Sequence, residues 1–148
     1  MKLRKAKYSD LKTLLFWANE KDVIKNSIYR RVKINIEDHK IWLKKNLASK
    51  KNNIYIASDK LKLVGMIKTD EYKRYYLISY SIQKSHRNKG YGLKIVNMIV
   101  NKLFKTDKKK YLKAIVNKKN EHSQKIFKKL NFKEYQLKNK SFLQFIKK

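Results

Sequence analysis

The chain has 148 residues, of which 40 are lysine or arginine and 11 are acidic, so its formal net charge at neutral pH is +29. It contains no cysteine, which excludes disulfide bridges, thiolate metal sites and cysteine nucleophiles. The apolar fraction of 42% predicts a globular fold, and the length predicts one domain over residues 1–148.

Neither a membrane span nor an export signal is expected. No apolar run approaches the ~20 residues of a membrane helix. The basic start, Met1 to Lys5, is not followed by the apolar core of a signal peptide. The three histidines are scattered without the spacing of metal ligands. We therefore expect a cytoplasmic protein that uses no metal.

The high positive charge is typical of proteins that bind nucleic acids or acidic membranes. Here, however, lysine far outnumbers arginine, which is the preferred reader of bases and phosphates. The lysines are spread along the whole chain, and their longest run is only residues 108–110. We interpret the charge as compositional and expect no nucleic-acid partner. A non-catalytic nucleic-acid-binding module remains the alternative of another class.

The pattern of apolar residues predicts elements in the order β-α-α-β-β-β-α-β-α-β-β, with residues 20–35 as a loop or broken turns. The predicted strands are residues 2–7, 53–58, 61–69, 74–82, 111–116, 132–138 and 141–147. The predicted helices are residues 9–19, 36–48, 90–104 and 120–130. The fold class is therefore α/β, with a mixed, mostly antiparallel central sheet of six to seven strands flanked by about four helices.

Two of the chain's three glycines lie at positions 90 and 92, between a predicted strand and a predicted helix. Glycine permits tight turns and lets a ligand approach the main chain. The free N–H groups and the dipole at a helix N-terminus attract anions. The segment therefore predicts a site for a phosphate or pyrophosphate.

Two sequence blocks carry a resemblance to a known family. The first has the pattern Arg/Gln-x-x-Gly-x-Gly/Ala and is matched at Arg87, Gly90 and Gly92. The second has the pattern Asn-x-x-Ala/Ser-x-x-x-Tyr-x-Lys-x-Gly-Phe and is matched at Asn120, Ser123, Lys129 and Phe132. With this order of elements, the chain resembles the GNAT superfamily of N-acetyltransferases over nearly its whole length.

The resemblance implies that acetyl-CoA is the co-substrate. Its pyrophosphate would meet backbone amides of the glycine turn, and its pantetheine arm would pair with the edge of strand 76–82. One face of the helix after Asn120 would look at the thiol end. The expected coenzyme-binding residues are Ile82, Arg87, Asn88, Lys89, Gly90, Tyr91, Gly92, Leu93, Asn120, Ser123 and Phe127.

The implied reaction is direct transfer, in which a neutral amine attacks the acetyl carbonyl. A backbone N–H near Ile82 would stabilise the oxyanion. The amine must lose a proton, and the base is left open between Asp70, Glu71, Glu37, His39 and a water chain.

The acid that protonates the departing thiolate is a second open question. Phe127 stands where many relatives have a tyrosine with this role, and phenylalanine has no proton to donate. Ser123, Tyr80 or a water remain to fill it. The predicted catalytic residues are Ile82, Ser123, Tyr80, His39 and Glu37.

The N-terminal third resembles the amino-sugar acetyltransferases of pseudaminic acid biosynthesis, which acetylate the 4-amino group of a UDP-linked 4-amino-4,6-dideoxy sugar. The resemblance rests on Trp17-Ala-Asn19, Lys25-Asn-Ser27, Glu37-Asp-His39 with Trp42, and Ile78–Ile82. Aromatic rings would stack or form apolar walls, and Lys25, Arg30 and Arg31 would meet phosphate. The expected substrate-binding residues are Trp17, Asn19, Asn26, Ser27, Tyr29, Arg30, His39 and Trp42.

Other acceptors stay open at this stage. Ribosomal-protein acetyltransferases share part of the N-terminal pattern, so a protein N-terminus or a small amine is the first alternative. A degenerate coenzyme binder without turnover is another, because of Phe127. The resemblance also admits a homodimer formed through the late strands.

Overall fold

The structure is a computed structural model that describes all 148 residues. Seven strands and five α-helices confirm the mixed α/β class. The strands are β1 (Lys2–Lys5), β2 (Asn52–Asp59), β3 (Lys62–Glu71), β4 (Tyr75–Ile82), β5 (Tyr111–Asn117), β6 (Lys133–Gln136) and β7 (Phe142–Lys147). The helices are α1 (Leu11–Ala18), α2 (Lys21–Asn26), α3 (Ile36–Ala48), α4 (Tyr91–Thr106) and α5 (Glu121–Lys129).

Helix α2 corrects the sequence prediction, which placed a loop or broken turns over residues 20–35. Its six residues carry no apolar stripe, and none of them is buried. The helix is held instead by ion pairs of Glu20 and Asp22 with Arg87, more than sixty positions away in the chain. Such a distant contact leaves no periodic signal in the sequence.

The sheet has the order β1-β2-β3-β4-β5-β7-β6, and only β4 and β5 are parallel neighbours. These two strands pair over three residues, where Tyr75, Tyr76 and Leu77 face Tyr111, Leu112 and Lys113. Beyond Leu77 the strands part, while β4 stays paired with β3 as far as Ile82. The sheet therefore opens between the carboxyl ends of β4 and β5.

Two apolar clusters hold the helices on opposite faces of the sheet. The amphipathic α4 buries a stripe that includes Ile95, Ile99 and Leu103 in the larger cluster, with α5 beside it. Leu14 and Trp17 of α1 and Leu43 of α3 form the smaller cluster over β2. Helix α3 thus packs over β2, and the same face of β4 and β5 stays partly open, with Ser79 exposed.

Gly65 on β3 is required by the close approach of β4. A Cβ at this position would lie 2.3 Å from the Ser81 carbonyl oxygen, which belongs to the backbone and cannot rotate away. We expect Gly65→Ala to lower the free energy of unfolding by about 3 kcal/mol, because the strands must separate to admit the methyl group. Urea unfolding followed by circular dichroism measures the change.

Gly90→Ala is the matched comparison for this prediction. Gly90 has a φ of +77° but nothing within 4 Å of a Cβ, so its substitution costs only conformational strain, about 1 kcal/mol. Equal unfolding midpoints for Gly65→Ala and the parent chain would contradict the steric argument.

Candidate active site

The opening between β4 and β5 holds a cavity of about 620 Å³. Its wall brings together most of the residues predicted from the two sequence blocks and from the N-terminal third. From the coenzyme set the lining includes Ile82, Arg87, Asn88, Gly90, Tyr91, Gly92, Asn120, Ser123 and Phe127. From the acceptor and catalytic sets it includes Trp17, Asn26, Ser27, Tyr29, Arg30, His39, Trp42 and Tyr80.

Four predicted site residues lie outside the lining. The Lys89 ammonium donates to the Ser85 carbonyl at 3.0 Å, and Leu93 packs against the larger core cluster. Asn19 ties two loop segments together, since its amide and its carbonyl oxygen bond the backbone of Ile34 at 2.9 and 2.8 Å.

Glu37, predicted as a candidate base, is the fourth. Its carboxylate is exposed on α3 and pairs with Lys40 at 2.8 Å. The other two carboxylates considered as bases are also ion-paired, Asp70 with Lys68 at 2.5 Å and Glu71 with Lys110. None of the three lines the cavity.

The backbone of β4 presents N–H groups to the opening. Gln83 donates to the Val64 carbonyl, and Tyr72 donates to Tyr75, so the odd-numbered residues of β4 face β3. Because hydrogen-bonding direction alternates along a strand, the N–H groups of Tyr80 and Ile82 point the other way, toward the cavity. The Arg87 Nε donates to the Ile82 carbonyl at 2.9 Å and fixes the strand end.

The glycine turn brings the N-terminus of α4 to the cavity. Asn88 and Gly90 both adopt positive φ, 60° and 77°, which reverses the chain just before the helix. At Gly92 a Cβ would lie 2.8 Å from the Ile126 Cδ1 and 3.2 Å from the Tyr80 ring. Gly92 therefore lets α4 approach both β4 and α5. The free N–H groups in the first turn of α4 then face the cavity.

Arg87 links the turn to α2. Besides Ile82, its guanidinium bonds the Asp22 carboxylate at 2.6 Å and the Glu20 carboxylate. Glu20 also accepts from the Lys84 backbone N–H at 3.2 Å. Arg87 therefore holds α2 at the rim of the opening. The positive charge of its guanidinium is compensated by the two carboxylates.

Tyr80 and Ser123 form a hydroxyl pair on the cavity wall. Their oxygen atoms lie 2.8 Å apart, and the start of α5 is fixed because Asn120 accepts from the Ser123 backbone N–H at 3.2 Å. Burial raises the pKa of Tyr80 to about 12, although the bond to Ser123 lowers it. Phe127 packs edge-on against the Tyr80 ring, with centroids 6.1 Å apart. The Tyr80 phenol thus lies beside position 127, where many relatives have a tyrosine and this chain has a phenylalanine.

His39 is a buried histidine whose two ring nitrogens have no hydrogen-bond partner. Its ring stacks on Trp42 with centroids 5.0 Å apart, and both residues line the cavity. Burial lowers the pKa of His39, and the positive charge of Arg30 lowers it further. The imidazole is therefore held neutral, in the state that accepts a proton.

Several lining residues were not predicted from the sequence. Asp22 and Lys68 project into the cavity from α2 and β3, and Ile115 and Asn117 form the β5 wall. Segment 111–116 was predicted as a strand, but the sequence carries no sign that β5 would face β4. The alternation of side chains along β3 assigns Lys68 to one face of the sheet, but it does not indicate that a cavity lies on that face.

Comparison with known proteins assigns the family. A family model described as the acetyltransferase (GNAT) domain matches residues 1–133, so the chain belongs to the GNAT acetyltransferases and is an N-acetyltransferase of that type. Enzymes of this family take the acetyl group from acetyl-CoA. A search of curated proteins finds no match.

Solved structures share the fold at low sequence identity. A spermidine N-acetyltransferase from Vibrio cholerae is 15% identical with a TM-score of 0.80, covering 99% of this chain and 94% of its own. A ribosomal-protein-alanine N-acetyltransferase from Brucella melitensis is 17% identical with a TM-score of 0.78, covering 99% and 97%. A ribosomal α-N-protein acetyltransferase in complex with coenzyme A is 10% identical with a TM-score of 0.83, covering 98% and 92%.

Two further findings concern the whole chain. None of its helices combines the length and the apolar character that crossing a membrane requires. Nowhere do three or more histidine, aspartate or glutamate side chains come together in an arrangement that suits a metal ion.

The buried state of His39 predicts a pH dependence of stability. The unfolded chain protonates this histidine near its ordinary pKa of about 6.5, whereas the folded chain does so only at lower pH. The unfolded state therefore binds more protons below about pH 6.5, and stability falls as the pH drops toward the folded pKa.

We expect His39→Leu to remove this contribution. The difference in unfolding free energy between the variant and the parent should grow in favour of the variant from about pH 7 to about pH 5, measured by urea unfolding. His122→Leu, at an exposed histidine, is the control for replacing a histidine by leucine. Parallel pH curves for the parent and His39→Leu would contradict the argument.

Proposed function

We propose that the chain is a single acetyltransferase domain that transfers acetyl from acetyl-CoA to the 4-amino group of a UDP-linked 4-amino-4,6-dideoxy sugar. The resemblance of the N-terminal third implies this acceptor, and the charge of the cavity is the observation that carries the proposal. Asp22 is the only carboxylate in the lining, against the cations Arg30, Lys68 and Arg87. Lys68 is paired with Asp70, and Arg87 with Asp22 and Glu20, so Arg30 is the lining cation whose charge no carboxylate compensates. A lining of this sign attracts an anionic acceptor and disfavours a polycation such as spermidine.

The coenzyme would run from the α4 N-terminus along the open edge of β4. Its pyrophosphate meets the backbone N–H groups from Asn88 to Leu93, where the helix dipole favours negative charge. The N–H groups of Tyr80 and Ile82 are then available to a pantetheine carbonyl and to the oxyanion that forms at the acetyl carbon.

Two proton transfers complete the reaction. His39, neutral and free of hydrogen bonds, takes the proton that the attacking amine must lose. When the C–S bond breaks, Ser123 Oγ donates a proton to the thiolate, and the Tyr80 hydroxyl replaces it across their 2.8 Å contact. The Tyr80 phenolate takes a proton back from solvent when the products leave, which closes the cycle. The raised pKa of Tyr80 keeps the phenol protonated at neutral pH until that moment. The pair thus takes over the role left vacant at Phe127.

Tyr80→Phe tests the relay. We expect kcat to fall about 100-fold, because the serine hydroxyl loses its proton supply, while acetyl-CoA affinity stays unchanged. Ser123→Ala should lower kcat to a similar extent, and the double variant should lose little more than either single one. Tyr135→Phe, at an exposed tyrosine on β6, is the control. Full kcat in Tyr80→Phe would exclude the relay.

The acceptor is tested by thiol release from acetyl-CoA in the presence of UDP-4-amino-4,6-dideoxy-N-acetylaltrosamine. Spermidine, a simple amine panel and a ribosomal-protein N-terminal peptide run in parallel. We expect rapid release with the nucleotide sugar alone. Release only with the peptide or the simple amines would retain the acetyltransferase and reject the sugar. Acetyl-CoA binding without release on any acceptor would identify a degenerate coenzyme binder.

A further inference from the structure

The open face of the sheet continues the cavity toward the amino ends of β4 and β5. Ser79 and Ser81 of β4 and Ile115 and Asn117 of β5 line the cavity. Side chains alternate along a strand, so Leu77 and Tyr75 lie on the same face as the two serines. The parallel register places Lys113 opposite Leu77 and Tyr111 opposite Tyr75. One face therefore runs without interruption from the cavity through Leu77 and Lys113 to a pair of tyrosines.

Three tyrosines stack at the far end of this face. The rings of Tyr72 and Tyr75 lie 4.6 Å apart between centroids with an interplanar angle of 15°, and those of Tyr75 and Tyr111 lie 5.3 Å apart at 23°. Tyr72 ends the row and is 46% exposed, so its outer ring face is open to a further aromatic group. Tyr29, which lines the cavity, is 84% exposed.

A cation stands between the cavity and the tyrosines. The Lys113 ammonium lies 5.0 Å from the centroid of the Tyr75 ring. It takes part in none of the chain's ion pairs. Lys113 is therefore free to meet a phosphate at this point of the face.

The arginines expected to meet phosphate are already engaged. The guanidinium of Arg30 donates to the carbonyls of Ala18 and Val32 at 2.7 and 3.1 Å. Arg31 donates to the carbonyls of Ser27 and Arg30 at 2.5 and 3.1 Å. Because these N–H groups already have acceptors, a further cation on the open face would strengthen the binding of an anionic acceptor.

We propose that this face is a nucleotide-binding trough, formed by Leu77, Lys113 and the tyrosines 72, 75 and 111, which holds the nucleoside diphosphate of the acceptor. The inference rests on the proposed function, because it assumes that the acceptor is a nucleotide sugar. The amino sugar lies in the cavity, the diphosphate meets Lys113, and the base stacks on the open face of Tyr72.

The dimensions agree with this order of groups. From Ser79 in the cavity to Tyr75 the distance along β4 is about 13 Å, since a strand rises about 3.3 Å per residue. The Tyr72 ring, on which the base would stack, lies a further 4.6 Å from Tyr75 between centroids. A diphosphate and its nucleoside span a comparable length. Stacking of the base on a tyrosine contributes measurably to nucleotide affinity, and so does a single ionic contact to a phosphate.

Calorimetric titration with UDP tests the trough, with the coenzyme site saturated by CoA so that UDP cannot bind at the glycine turn. We expect Tyr72→Ala and Lys113→Met each to weaken UDP binding roughly 10-fold, as loss of one stacking or phosphate contact implies. Acetyl-CoA affinity should stay at the parent value in both.

Tyr8 and Lys44 provide a matched control pair. Tyr8 is 44% exposed, and the Lys44 ammonium lies 5.7 Å from its ring centroid, far along the chain from the trough. Tyr8→Ala and Lys44→Met remove the same chemical groups and the same charge. We expect both variants to bind UDP as the parent chain does, which separates a local contact from a general effect of charge.

The outcomes distinguish the trough from the proposed acceptor. UDP affinity that is equal in parent and trough variants would overturn the trough, even if the nucleotide sugar is acetylated. Loss of UDP binding in the trough variants would support it, even if another sugar nucleotide proves to be the acceptor. No UDP binding by the parent would overturn it, and thiol release with peptides alone would then reject the sugar as well. A trough variant that changes the sedimentation coefficient without changing UDP affinity would assign the face to a second copy of the chain.

Discussion

The three-residue pairing of β4 with β5 is the constraint on which the site depends. If the two strands stayed paired along their length, the N–H groups of Tyr80 and Ile82 would be used within the sheet. Because the strands part after Leu77, these groups face a cavity and require a partner of another kind. A buried backbone N–H group without a hydrogen-bond partner costs free energy. A ligand that accepts a hydrogen bond from such a group therefore gains affinity from the backbone alone. The proposed coenzyme site therefore lies where the pairing of β4 with β5 ends.

Tyr80 contacts both sequence blocks and so brings them together at the cavity. Gly92 from the first block lies against its ring, and Ser123 from the second bonds its hydroxyl. The glycine is needed because a methyl group would press on both Tyr80 and Ile126. Phe127 completes the contact and stacks on Phe145, with centroids 5.6 Å apart. Phe127, at the position of the usual tyrosine, is thus a core residue, and the proton transfer that we propose falls to its neighbours Tyr80 and Ser123.

Sequence reasoning predicted the strands and four of the five helices, which depend on local periodicity. Nine of the eleven residues that it assigned to the coenzyme line the cavity, because fixed spacing around Gly90 and Asn120 indicates them. It missed α2, whose position depends on ion pairs between Glu20, Asp22 and Arg87. It also placed Glu37 at the site, since a helix face cannot be assigned inward or outward from one pattern alone. The tyrosine row was beyond reach, because it exists only in the parallel register that brings Tyr111 beside Tyr75.

The small number of carboxylates determines which cations near the opening have an ion-pair partner. With 11 acidic residues in the chain, the carboxylates near the opening are few, and Glu20 and Asp22 both go to Arg87. The Arg87 charge is therefore compensated before any ligand arrives, so the proposed pyrophosphate contact falls on the backbone N–H groups of the glycine turn and α4. Lys68 is likewise paired with Asp70. Lys113 pairs with no carboxylate, and its position opposite Leu77 on the open face makes it the cation that we propose for a second anion.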